Sequence, residues 1–219
     1  MSTILTNAVR SADLDSVLAL LQSGEDPNQV GSGSWTPLNL AVSWANESIT
    51  LALLESGADV NQAGFLGQTP IIRAAIHAPA TLVRLLCERG ANVNSADMYG
   101  ISALEHAANY GHTSAMEILV DSGADLRAFG LRALEHAIRN GQKEAIRLLI
   151  NWGVAADISS EEQGRILTIA VRRGDIEALR ELLSSKFRVS DELILLAERF
   201  RQYDAARLLR AQLEKQNAI

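Results

Sequence analysis

Two Glu-His pairs, Glu105-His106 and Glu135-His136, are the residues whose types fit acid–base or metal chemistry in this 219-residue chain. A histidine beside a carboxylate can carry a proton near neutral pH or offer a ring nitrogen to a metal ion. The pairs occupy equivalent places in a repeating pattern. Stacked repeats would hold them about 10 Å apart, the width of one helix layer. Ligands of one tightly bound metal lie about 2 Å from it. Neither a metal site nor a catalytic pair is therefore expected. His112 follows Gly111 in a turn and reads as structural. The single cysteine, Cys87, stands at the end of an apolar helix and reads as a small core hydrophobe, with no histidine assignable as its base. One cysteine also excludes an internal disulfide and points to a reducing, cytoplasmic compartment. No Walker-type phosphate loop, G-x-G-x-x-G or G-x-S-x-G occurs. The expectation is a protein that is not an enzyme, with no cofactor.

The elements that position these residues follow from an internal repeat. Ala8, Ala41, Ala74, Ala107, Ala137, Ala170 and Ala197 are spaced by 33, 33, 33, 30, 33 and 27 residues. Gly24, Gly57, Gly90, Gly123 and Gly153 are spaced by 33, 33, 33 and 30. Two landmarks thus share one period and one three-residue deletion, which lies between Gly123 and Ala137. Each unit reads as a short Ala-rich helix, a turn, and a second helix ending in paired apolar residues before the glycine. Thr36-Pro37 and Thr69-Pro70 offer a hydroxyl N-cap and a proline at the first helical position. The second helices end at Leu53-Leu54, Leu86-Cys87, Leu119-Val120 and Leu149-Ile150. Each following glycine suits the left-handed position past a helix C-terminus. Helices this short are unstable alone, so stability must come from stacking neighbouring units into a solenoid.

Composition agrees. Hydrophobic residues are 47%, charged residues 21% and aromatics 5%, so the core must be built from Ala, Leu, Ile and Val. The net charge of −6 argues against a dedicated nucleic-acid binder. No apolar run is long enough to span a bilayer, and Arg10, Asp13 and Asp15 stand where a signal peptide would be apolar.

The strings Thr36-Pro37-Leu38, Thr69-Pro70-Ile71, Gly111-His112 and Gly57-Ala58-Asp59-Val60-Asn61 resemble the ankyrin repeat over nearly the whole chain. The resemblance implies an all-α solenoid of helix-turn-helix units with short β-hairpin fingers, one domain over residues 1–219. About seven units start near residues 3, 34, 67, 100, 130, 163 and 190, the first and last serving as caps. Some features depart from the pattern. The histidine that usually follows Thr-Pro-Leu is replaced by Asn39, Ile72, Glu105 and Glu135. Arg132-Ala133 replaces Thr-Pro in the fifth unit. Ser159-Ser160-Glu161-Glu162-Gln163, with capping-box spacing from Ser160 to Gln163, replaces a finger in the sixth. The solenoid is expected to be irregular after residue 125.

The resemblance also implies which positions face the concave side: the ends of the first helices and the finger tips. Here these include Trp44, His77, Tyr110, Arg139, Arg172 and Arg173 at helix ends. Phe65, Leu66, Met98, Tyr99 and Phe129 fall at tips. Trp, Tyr and Arg dominate binding hot spots, and apolar tips have no core to enter, so these residues are the candidate partner-binding strip. The competing reading leaves the tips packed against one another and the arginines as solvated charges.

Charge is uneven. Residues 1–110 carry 4 Lys and Arg against 10 Asp and Glu, while residues 111–219 carry 16 of each. The acidic half suits a basic partner, including an enzyme or toxin. The function expected is protein binding by a chain that is monomeric alone, as an inhibitor or immunity protein or as an adaptor. Two alternatives stay open: a ligand or nucleic acid held by the C-terminal arginines, or a homo-oligomeric structural protein.

Overall fold

A computed structural model describes residues 3–77, 79–156, 158–185 and 187–218. The helices follow the Ala/Leu pattern. They are α1 (Ile4–Arg10), α2 (Leu14–Gln22), α3 (Pro37–Ser43), α4 (Glu47–Glu55), α5 (Pro70–His77), α6 (Ala80–Glu88), α7 (Ala103–Tyr110) and α8 (Thr113–Asp121). Then come α9 (Leu126–Asn140), α10 (Lys143–Asn151), α11 (Ser160–Arg173), α12 (Ile176–Ser184), α13 (Asp191–Arg199) and α14 (Tyr203–Asn217). Local chemistry starts them. The Thr36 hydroxyl accepts the Asn39 N–H at 3.0 Å with Pro37 at the first helical position. Asp13, Asn46 and Asp175 cap α2, α4 and α12 in the same way. At α11 the reciprocal capping box joins Ser159 to Glu162, one residue earlier than the Ser160–Gln163 spacing suggested.

The chain forms two compact units: residues 1–107 with 114–125, and residues 108–113 with 126–219. In the first, α1, α3 and α5 pack side by side and α2 packs on α4. In the second, α9, α11 and α13 form one row and α10, α12 and α14 the other. Ala41, Ala74, Ala107, Ala137, Ala170 and Ala197 are all fully buried. A methyl group at these positions lets successive first helices approach closely. Larger aliphatics, among them Leu38, Ile71, Leu104, Leu134 and Leu167, fill the space between rows.

The expected β-hairpin fingers are not present: no strand occurs among the described residues, and pairing is limited to one isolated bridge between Ala96 and Ser102. The finger positions are tight turns. Gly31 N–H donates to the Trp35 carbonyl at 2.7 Å, Gly64 N–H to that of Gln68 at 2.9 Å and Asp97 N–H to that of Ile101 at 3.0 Å. One such bond closes each five-residue loop, leaving too little chain on either side for a ladder. Short 3-10 segments at Ser32–Ser34 and Phe65–Gly67 fill two of the tips.

Lateral support comes from asparagines instead. The Asn28 amide donates to the Gly57 carbonyl at 3.1 Å and accepts the Asp59 N–H at 2.7 Å. Asn61 does the same with Gly90 and Asn92, at 3.2 and 2.7 Å. Asn94 repeats it with Gly123 and Asp125, at 3.0 and 2.8 Å.

Beyond residue 125 the chain takes another form. Residues Leu126 to Phe129, the finger position of that unit, continue into α9, a helix of 15 residues. Ala128 and Phe129 are therefore helical and not at a hairpin tip, because the deletion removes the length a turn would need. Gly130 lets this helix lie close to Val154, whose methyl would sit 2.8 Å from an added Cβ. The 14-residue α11 likewise starts without a finger.

Candidate functional site

In the first unit the tips and first-helix ends hold a set of apolar side chains in solvent. Met98 and Tyr99 are each 64% exposed and Trp44 is 51% exposed. Phe65, also exposed, stacks on Trp35 with ring centroids 5.9 Å apart. Leu66 is half-buried at φ 58°, and its carbonyl accepts the Met98 N–H at 3.0 Å, tying one tip to the next. A residue with a Cβ, such as leucine, is costly in the left-handed region, so this tip is held by its surroundings. His77 is exposed at the end of α5.

Below Trp35 lies Arg73. Its guanidinium carbon is 4.7 Å from the Trp35 ring centroid. Its Nε donates to Ser43 Oγ at 2.8 Å and one Nη to Gln68 Oε1 at 2.9 Å. The guanidinium thus braces the aromatic pair from the side of α3 and α5. Trp35 and Arg73 escape a reading by sequence alone, since they are far apart in the chain and meet only through stacking. The available signal was an aromatic at position 35, where other turns return through Gln68 and Ile101.

The third tip is fixed by charge. Asp97 Oδ1 accepts the N–H groups of Tyr99 at 2.9 Å and Ile101 at 3.0 Å, and Oδ2 lies 2.9 Å from His106 Nε2. Burial pushes the Asp97 carboxyl up, but the hydrogen bonds from His106, Ile101 and Tyr99 outweigh it and hold the pKa below its ordinary value. His106 is therefore engaged in holding Met98 and Tyr99 in place. Its neighbour Glu105 is fully buried and forms a capping box with Ser102, accepting the Ser102 N–H at 2.8 Å. In the second unit Glu135 takes an ion pair with Arg165 at 2.7 Å. Each carboxylate of the two Glu-His pairs thus has a structural partner.

The first-helix ends of the second unit differ in character. Tyr110 is exposed and stacks on His112 with centroids 5.8 Å apart. Arg139, Arg172 and Arg173 are exposed. Arg173 is committed: one Nη donates to the Arg139 carbonyl at 2.7 Å. Arg172 lies over Phe200, 5.6 Å from its centroid. Phe129, in α9, is half-buried. The turns between helices stack closely, and a Cβ at Gly141 or Gly174 would fall on Arg173 or Gln202.

The architecture and these turn sequences match one family. A sequence model described as ankyrin repeats, in three copies, matches residues 5–97, 62–130 and 95–162. The chain belongs to the ankyrin-repeat family. No curated protein matches it. The ankyrin-repeat fold generally serves as a scaffold for protein–protein interaction and is typically non-catalytic. Its usual stacking histidine is replaced here by chemistry of the same reach: the Asn39 amide donates to Thr36 Oγ1 at 3.0 Å and to the Gln62 carbonyl at 3.1 Å.

Among the described residues no group of three His, Cys, Asp or Glu is placed to hold a metal ion. Burial pushes the Cys87 thiol up in pKa, opposite to what a reactive thiolate needs. Among the described residues no helix is long and apolar enough to cross a membrane.

Proposed function

We propose that this ankyrin-repeat protein is a binding module without catalytic residues, read as about seven units over residues 1–219, that takes a partner protein on its turn tips and first-helix ends. The observation that carries the reading is the group of Trp44, Phe65, Met98 and Tyr99, large apolar side chains left in solvent on rigidly braced turns. Exposed apolar groups on a pre-ordered scaffold lose little entropy on binding, which favours affinity. Within the first unit Leu66 and His77 extend the contact, and on the second unit Tyr110, Arg139, Arg172 and Arg173 are further partner-binding positions. Phe129 contributes only the part of its ring that α9 leaves open.

The acidic excess of residues 1–110 steers a basic partner surface toward the chain. The protein is monomeric until it meets that partner, in the cytoplasm. Its output is the binding itself, as an inhibitor or immunity protein or as an adaptor. The test is capture from host lysate with the wild type and with a W44A/Y99A variant, read by mass spectrometry. The account expects a protein retained by the wild type and lost by the variant. Identical retention would place the binding elsewhere.

A further inference from the structure

We propose that the first-helix ends of the second unit bind an extended acidic protein segment whose carboxylates recur at every third residue. The inference rests on the protein-binding reading above and names the chemistry of one segment it accepts.

α9, α11 and α13 pack side by side. Their C-terminal ends carry Arg139, Arg172, Arg199 and Arg201, all exposed. None of the four makes an ion pair with a carboxylate among the described residues, whereas the neighbouring acids are already engaged. Asp175 caps α12 through the Ala178 N–H and lies 3.8 Å from Arg173. Glu198 pairs with Arg210, and Asp204 lies 3.9 Å from Arg207. The result is a row of uncompensated guanidinium groups in which each helix layer contributes at least one.

A basic residue at a helix C-terminus also satisfies the helix dipole. That alone does not produce the row, since α3 and α7 end with no basic residue in the last turn. The arginines also have apolar company: Phe200 lies beneath Arg172, and Tyr203 is exposed in the next turn.

Spacing selects the ligand. Packed helices lie about 8–10 Å apart, and a chain extended as polyproline II advances about 3.1 Å per residue and turns the same face toward the helices at every third residue. Three residues of an extended segment therefore span one layer, so every third side chain meets a new arginine. Guanidinium groups bind carboxylates with paired, directional hydrogen bonds. A nucleic acid carries charge at every nucleotide and needs a dense cationic track, which one arginine position per layer in a chain of net charge −6 does not provide.

The test is fluorescence anisotropy of the full chain with three labelled probes of matched length. One is a peptide with glutamate at every third position. The second has the same composition with its glutamates consecutive, and the third is oligothymidylate. The spaced peptide is expected to bind about tenfold more tightly than the clustered one and to weaken as salt is raised. An R139E/R172E/R199E variant with wild-type circular dichroism and melting temperature should lose that binding. If it misfolds, the R139Q/R172Q/R199Q variant carries the same expectation. Equal affinity for the two peptides, preference for the oligonucleotide, no binding by the wild type, or unchanged binding by the folded variant would each overturn the proposal. The probes require no host partner, so failure here is distinct from failure of lysate capture, which reads Trp44 and Tyr99.

Discussion

Asp97 joins a buried carboxylate to an exposed contact. Its two oxygens hold the third turn closed through Tyr99, Ile101 and His106, and the side chains beside it, Met98 and Tyr99, are the most exposed apolar groups of the tips. Because the folded pKa lies below the unfolded one, the carboxylate stabilises the fold above the ordinary carboxylate pKa of about 3.9. That contribution is lost as pH falls through the folded value. Replacing Asp97 by Asn should cost about 1–3 kcal/mol at neutral pH, the range for a buried charged hydrogen-bond acceptor. Urea denaturation across pH checks this: the gap between wild type and D97N should close in acid. A gap of constant size would show that the carboxylate charge does not matter there. The same residue shows a limit of reading from sequence. His106 looked like half of a Glu-His pair because Glu105 precedes it, whereas its partner in space is nine residues back. Helical geometry turns Glu105 toward its own N-cap, Ser102, and leaves His106 facing the turn.

At the scale of elements, the helices were legible and the turns were not. Buried alanines at Ala41, Ala74 and Ala107, with Thr36 and Pro37 opening α3, are local signals, and local signals survive without coordinates. The fingers form no strands because their closure depends on chain length: five residues from Gly64 to Gln68 allow one backbone bond and no ladder. What replaces the ladder is the row of Asn28, Asn61 and Asn94, each bonded in both directions to the following unit. Their Asn-containing strings were visible, but the partners 29 and 31 residues on were not. Replacing Asn61 by Ala removes both bonds at an exposed site, so a loss of about 1–2 kcal/mol is expected. Chemical denaturation measures it directly. A loss below about 0.3 kcal/mol would mean that water replaces the asparagine at no cost. Positions at helix ends such as Trp44 and Arg172 are exposed as their register predicts, whereas Phe129 was drawn into α9 once the deletion removed its turn.

Across the whole molecule, the chain divides its surface chemistry between two sets of residues. The tips of the first unit offer aromatic and aliphatic groups braced by Arg73 and Asp97. The first-helix ends of the second offer Arg139, Arg172 and Arg199, which pair with no carboxylate among the described residues. The acidic residues numbered up to 59 concentrate on second helices and the turns beside them, including Asp15, Glu25, Asp26, Glu47, Glu55 and Asp59. That placement keeps these exposed acids off the apolar tips, where Asp97 is buried and hydrogen-bonded, while the field of the acids still acts on encounter rates. The ankyrin-repeat family makes protein binding the expected output, and we propose the exposed side chains of the tips and first-helix ends as its site. Amide hydrogen exchange of the chain alone and with its captured partner tests that claim most directly. The account predicts slower exchange at residues 65–67 and 98–100 and at the last turns of the first helices. Protection confined to α2, α4, α6 and α8, with the tips unchanged, would contradict it.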